Sequence, residues 1–199
     1  MLPFPSVDRR PSPPPRRSDD FDAGAAIYAQ GAAGLAWRVR RGVVRLDSVG
    51  RDGQPVFASL AIAGDIVGCE TLLFGAYTFS ATALTACELA PWPEGQATPA
   101  SQSLLESLAQ SQRRAADIVA LRGGQAVDRV LGLVRLLADG AGQVVLPMRQ
   151  DIADITDLRF ETISRIIKQL ERARVLLPVR LEGVHATRGF QLARHTQLG

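Results

Sequence analysis

Cysteine and histidine are scarce in this chain of 199 residues, two of each, and both scarcities exclude chemistry. Cys69 and Cys87 have neither CxxC nor Cys/His spacing around them, so no disulfide framework and no zinc site is expected. His185 and His195 complete no Ser/His/Asp set, and P-loop, GxSxG and HExxH sequences are all missing. No enzyme activity, metal or cofactor is therefore expected. No apolar run approaches the ~20 residues that a membrane-spanning helix needs. The arginine pairs at 9–10 and 16–17 are not followed by the apolar stretch of a secretory signal. A reducing cytoplasm without membrane contact is the expected setting. Charge of one sign is lacking too, because 23 Lys and Arg against 20 Asp and Glu leave a formal net charge of +3.

What is present is ordinary for a globular protein: 46% hydrophobic and 22% charged residues, enough for a core. The basic surplus is local. Residues 159–194 hold eight Lys or Arg and three Asp or Glu, an excess of five at the C-terminal end. Residues 1–20 contain six prolines and few apolar side chains, which predicts a disordered tail. From about residue 25 to 92 the pattern is β-like. Apolar segments at 27–28, 37–39, 43–46, 56–62 and 79–89 are punctuated by glycines, including Asp52-Gly53, a tight-turn pair. Pro91, Pro93 and Pro99 are expected to end this region, a sandwich or small barrel.

Residues 101–122 lack glycine and proline and predict a helix with a mixed seam, Leu105, Leu108, Gln112, Ala115 and Val119. Gly123-Gly124 breaks it. A second helix over 125–138 carries Val127, Val130, Leu131, Val134 and Leu137 on one stripe.

The most informative segment is 148–176. A helix over 149–155 buries Ile152 and Ile155, a turn covers 156–158, and a second helix follows. In that helix Ile163, Ile166, Ile167 and Leu170 share one face, while Glu161, Ser164, Arg165, Lys168 and Arg172 share another. A helix of ~10–12 Å fits a major groove ~12 Å wide. Arginine can donate two hydrogen bonds to guanine, glutamate can accept from cytosine N4, and Lys168 and Arg172 suit phosphates further along. Any solvated amphipathic helix also wears a charged face, so the following segment adds weight. Residues 175–181 and 184–192, joined at Glu182-Gly183, read as a β-hairpin wing, with Arg180 and Arg188 supplying charge to a DNA backbone. The alternative from another class is a ligand-sensing or protein-interaction barrel whose helix-turn-helix is vestigial.

The segment 149–153 (RQDIA), with Glu161-Thr162-x-Ser164-Arg165 and Leu170-Glu171, resembles the helix-turn-helix of the Crp/Fnr superfamily. Ile27-Tyr28-Ala29-Gln30-Gly31, Gly42-Val43-Val44, Asp52-Gly53, Gly64-Asp65-Ile66-Val67-Gly68 and Ser80-Ala81-x-Ala83-Leu84 follow the family's order, so the resemblance spans roughly residues 25–195. It implies an α+β chain: a cyclic-nucleotide-binding-type β jelly roll over 21–98, a dimerisation helix over 99–123, and a winged helix-turn-helix over 124–199. It further implies a homodimer on palindromic double-stranded DNA, working with RNA polymerase. Glu161, Ser164 and Arg165 match base-reading positions; Arg149, Gln150 and Thr162 match backbone-contacting ones. The E-x-x-S-R form is similar to the Fnr branch and implies a TTGAT-like half-site. Phe160 stands where the cyclic AMP branch has an arginine, Asp157 replaces a turn glycine, and Arg159 replaces a Ser or Thr cap for which Asp157 is a substitute. Phe79-Ser80 stands where a phosphate-binding Arg-Ser pair belongs, and Cys69 stands near the place of a ribose-binding Glu. Cyclic AMP or GMP is therefore not the expected effector, and the Fnr-type N-terminal cysteine cluster is absent.

Overall fold

The computed structural model describes residues 18–93, 100–181, 184–185 and 188–193. Its N-terminal half is a sandwich of two antiparallel four-stranded sheets. The strands are β1 (Asp19–Phe21), β2 (Ala26–Tyr28), β3 (Ala36–Arg41), β4 (Val43–Val49), β5 (Pro55–Ile62), β6 (Ile66–Val67), β7 (Ser80–Ala83) and β8 (Cys87–Trp92). One sheet runs β1-β8-β3-β6 and the other β2-β7-β4-β5. Alternation explains the layering: in β7, Ala81 and Ala83 point inward while Ser80 and Thr82 stay half-buried. The inner faces meet through Val39, Val44, Ala61, Val67, Ala81, Ala83, Cys87 and Leu89. Gly42, between β3 and β4, has φ +91°, and a Cβ there would lie 2.4 Å from the Ala86 carbonyl oxygen. Only glycine fits so close a passage.

Three β expectations change. The stretch 79–89 is two strands in different sheets, and the chain crosses between them at 84–86. That crossing needs no glycine or proline, because buried Thr85 holds it by accepting the Val43 N–H at 3.0 Å. Pro91 lies inside β8, opposite Trp37. Since β1 is registered against residues 87–89 only, Pro91 sits where the strand has a free edge, the setting in which proline is tolerated. Finally, Asp19 and Asp20, expected in the tail, belong to the edge strand β1. The rest of the expected tail, residues 1–17, lies outside the described residues.

A four-residue helix, α1 (Thr71–Phe74), joins β6 to β7. The long helix α2 (Ala100–Ala120) then lies on the sandwich. Its inner face is tied down by polar side chains. Ser107 Oγ accepts the Ile66 N–H at 2.8 Å, buried Arg114 pairs with buried Asp65, and Arg38 donates to Ser103 Oγ. Its outer face leaves Leu105, Leu108 and Val119 exposed.

The C-terminal part holds α3 (Ala126–Leu137), β9 (Gln143–Val145), α4 (Arg149–Thr156), α5 (Phe160–Arg172), β10 (Leu176–Pro178) and β11 (Gly189–Leu192). In α3, Val130 and Val134 of the expected stripe are buried, Val127 and Leu137 pack against the same core, and Leu133 is buried with them while Leu131 stays half-buried. The two wing strands pair antiparallel but are shorter than expected, and β9 joins them in a sheet ordered β10-β11-β9. The expected turn at Glu182-Gly183 lies outside the described residues. One continuous core runs from the sandwich (Val43, Phe57, Leu60, Leu84) through Ile118 and Leu121 of α2 to Ile152, Ile163 and Ile167.

Candidate nucleic-acid interface

The outward presentation of α5 begins with what lies under it. Ile163, Ile166, Ile167 and Leu170 are 0–4% exposed and pack against α3, α4 and β10. Burying four such side chains stabilises by roughly 1.5–3 kcal/mol each, so rotation of the helix about its axis is strongly opposed. The opposite face then has no choice of direction. Phe160, Glu161, Ser164, Arg165, Lys168 and Arg172 line a single open groove on the surface. Glu161 in the first turn and Arg172 in the last complement the helix dipole.

The turn before α5 is fixed from three sides. Asp157 takes the left-handed conformation, φ 52° and ψ 49°, and donates its N–H to the Ala153 carbonyl. This is the conformation expected when aspartate replaces a turn glycine. Asp157 does not cap α5, however. Arg159 is the N-cap residue and no side-chain cap hydrogen bond is made. The last carbonyls of α4 are instead satisfied from other helices. Arg122, just past α2, donates to the Asp154 and Ile155 carbonyls at 3.3 Å, and Arg129 of α3 to the Thr156 carbonyl at 3.3 Å. Two guanidinium groups at a helix C-terminus satisfy orphan acceptors and oppose the negative end of its dipole.

A second cluster, absent from the sequence reading, joins α4 to the sandwich. Arg45 of β4 reaches Asp154 at 2.9 Å, Asp151 at 3.2 Å and Asp47 at 2.8 Å. The guanidinium groups of Arg45 and Arg122 both lie over the Phe57 ring, 5.6 and 5.5 Å from its centroid. Burial pushes the Asp151 carboxyl up, against the opposing pull of Arg45. The one available signal was Asp151-x-x-Asp154, two carboxylates on one helix face that call for a cation.

Of the sequence-selected residues, Glu161, Arg165 and Lys168 are exposed, and Ser164 and Thr162 half-buried, all on α5. Among the described residues, none of Glu161, Arg165 and Lys168 is taken up by a hydrogen bond or ion pair, so all three are available to a ligand. On α4, Arg149 is half-buried beside Met148, Phe160 and Arg188, while exposed Gln150 donates to Asp154 Oδ1 at 2.9 Å. Arg180 is exposed at the wing. Arg188 is not available for the role expected of it. Its guanidinium donates to the Leu146 carbonyl at 2.7 Å and the Leu84 carbonyl at 2.9 Å, which ties the wing to the sandwich. His185 is exposed, and His195 lies outside the described residues.

Residues 19–100 match the model of the cyclic nucleotide-binding domain. The chain is 32% identical over 170 residues to the nitrogen fixation regulation protein FixK of Rhizobium meliloti, covering 82% of this chain and 80% of the relative. It is 33% identical to the FixK protein of Bradyrhizobium diazoefficiens, covering 76% and 70%. Among solved structures, FixK2 of Bradyrhizobium japonicum superposes with a TM-score of 0.64 at 25% identity, covering 89% of this chain and 92% of that one. A CRP-family transcriptional regulator of Thermus thermophilus shares the fold at TM-score 0.68 and 24% identity, covering 88% and 92%.

Proposed function

This chain belongs to the Crp/Fnr superfamily of DNA-binding transcription regulators, and from that premise we propose that it binds a palindromic operator as a homodimer through α5. Glu161, Ser164 and Arg165 read base edges, with a TTGAT-like half-site; Lys168 joins Arg149, Gln150 and Thr162 at phosphates. Residues 21–98 act as sensor, 99–123 as dimerisation helix and 124–199 as DNA-binding domain, and the regulator works with RNA polymerase. The observation that carries this reading is the unoccupied row of Glu161, Ser164, Arg165 and Lys168 in one groove above four buried apolar side chains. A vestigial helix would have no reason to keep that row. The Leu105, Leu108 and Val119 stripe of α2, exposed at heptad spacing, supports the dimer.

A cyclic nucleotide does not fit the sandwich. Its phosphate would need a cation where Phe79-Ser80 stands, and Ser80, whose Oγ accepts the Gln30 N–H at 3.0 Å, brings only a neutral hydroxyl donor. Nearby, burial and then the Glu70 carboxylate push the Tyr28 hydroxyl and the Cys69 thiol up, a field that disfavours an anion. Tyr28 and Tyr77 stack on one another, ring centroids 3.8 Å apart. The signal is therefore assigned to something other than cyclic AMP or GMP, or to no small molecule at all.

Selection of bound fragments from random DNA, followed by gel shifts over a salt series, tests the reading. One enriched palindrome whose affinity falls steeply with salt is the expected result. Enrichment of no sequence, or of a non-palindromic one, contradicts it.

A further inference from the structure

The cluster that joins α4 to the sandwich ends on an exposed side chain of α4. On β4, Val44 and Leu46 pack into the sandwich, so Arg45 and Asp47 emerge together from the strand's other face. Asp47 holds the Arg45 Nε with both carboxylate oxygens, at 2.8 and 3.0 Å, and the Arg45 guanidinium lies over the Phe57 ring. With that end fixed, Nη1 donates to Asp151 Oδ1 at 3.2 Å and to Asp154 Oδ2 at 2.9 Å. The Asp154 carboxylate has a second use. Its other oxygen, Oδ1, accepts the Nε2 of Gln150 at 2.9 Å, one turn back on α4. One carboxylate therefore bridges a sandwich arginine, 12% exposed, to Gln150 at the surface. The bridge stands on fixed backbone, because Arg122 donates to the Asp154 carbonyl at 3.3 Å.

The chemistry of the bridge sets how the Gln150 amide is turned. An ionised carboxylate only accepts, so the nitrogen end of the amide must face Asp154. One of its two N–H groups is spent there, and the other is left for a ligand. Without the bridge, a long exposed side chain such as glutamine must be ordered by the ligand itself, at a cost in rotamer entropy. We propose that Arg45 is a positioning residue for DNA binding: through Asp154 it holds the Gln150 amide with its second N–H directed to a phosphate. The proposal rests on the reading above that Gln150 meets the DNA backbone, and it names the group that presents it. Asp151 is a side arm of the same guanidinium and does not carry the bridge. The sandwich thus reaches a DNA-facing side chain through three polar groups in line, Arg45, Asp154 and Gln150.

The test is a set of double-mutant cycles read by gel shifts of the full chain on the selected palindrome. Each copy of Gln150→Ala loses one hydrogen bond, worth roughly two- to tenfold, so the homodimer should bind about fivefold weaker or more. In an Arg45→Met or an Asp154→Ala background the same change should cost at most about twofold, because Gln150 is no longer held. In an Asp151→Asn background it should keep its full cost. Circular dichroism and melting check the fold of each variant. If Arg45→Met fails to fold, Asp154→Ala, which alters a side chain at the edge of solvent, carries the cycle. An equal cost of Gln150→Ala in every background would overturn the proposal. Loss of that cost in Asp151→Asn as well would mean that the cluster seats α4 as a body, and would overturn it too. If Gln150→Ala binds like wild type while Arg165→Ala loses the palindrome, only this proposal falls. If wild type enriches no palindrome, the DNA-binding reading falls and takes the proposal with it.

Discussion

At the scale of single residues, Arg165 and Lys168 carry the same charge and are assigned different tasks in the proposed complex. Arg165 sits one turn from Glu161 on the face proposed to read bases, whereas Lys168 lies further along α5. Arg165→Ala should cost ~1–3 kcal/mol of operator binding and relax preference at one guanine, while Lys168→Ala should weaken all sequences alike. Competition gel shifts with single-base operator variants check this, and an equal loss on every sequence from both changes would refute the assigned roles. Asp157 is the residue whose conformation is most telling. A non-glycine residue in the left-handed region bears steric strain that glycine lacks. Asp157→Gly should hold or raise stability by up to ~1 kcal/mol in urea melts, and Asp157→Val should lower it. A clear loss in the glycine variant would mean that the carboxylate has a structural task of its own.

At the scale of elements, α4 is held in place by groups distant in sequence, and its placement sets that of α5. Arg122 and Arg129 close its C-terminus, and Arg45 holds Asp151 and Asp154 against the sandwich. Asp151 reports on that clasp through pH. Burial raises its carboxyl above the ordinary range, with Arg45 opposing, so the folded state takes up a proton before the unfolded chain does. Its contribution to stability is therefore fully present below the unfolded value and lost as pH rises through the folded one. In urea melts, wild type should gain on Asp151→Asn as pH falls toward the ordinary carboxylate range. A difference that moves the opposite way on acidification would place Asp151 in a solvated, well-paired setting instead. Element boundaries divide along the same line. The helices around α5 could be read from 3.6-residue periodicity, but the crossing at 84–86 could not, because a tertiary hydrogen bond from Val43 to Thr85 holds it.

At the scale of the whole molecule, the two-fold symmetry of the proposed homodimer doubles every contact. Each Lys168 neutralises one phosphate in the proposed complex, so Lys168→Ala in a homodimer should lower the slope of log affinity against log salt by about 2, against about 1 for a monomer. Gel shifts between low and physiological salt measure it, and an unchanged slope would remove Lys168 from the DNA contacts. The chain's own interior supports transmission between the halves, since a single core connects the sandwich to α5 and Arg188 ties the wing back to Leu84.

The amino-acid order alone determined the two kinds of architecture, the family resemblance and the face that α5 turns outward. These follow from local periodicity, turn chemistry and short motifs, which act within a few residues and leave a trace in the string. Only the tertiary structure decided that Arg188 is spent within the protein, that β8 tolerates Pro91, and that Arg45, Arg122 and Arg129 brace the helix beneath the groove. Those roles depend on carbonyls and carboxylates brought close by folding from as far as 109 residues away, and no local pattern records such a distance.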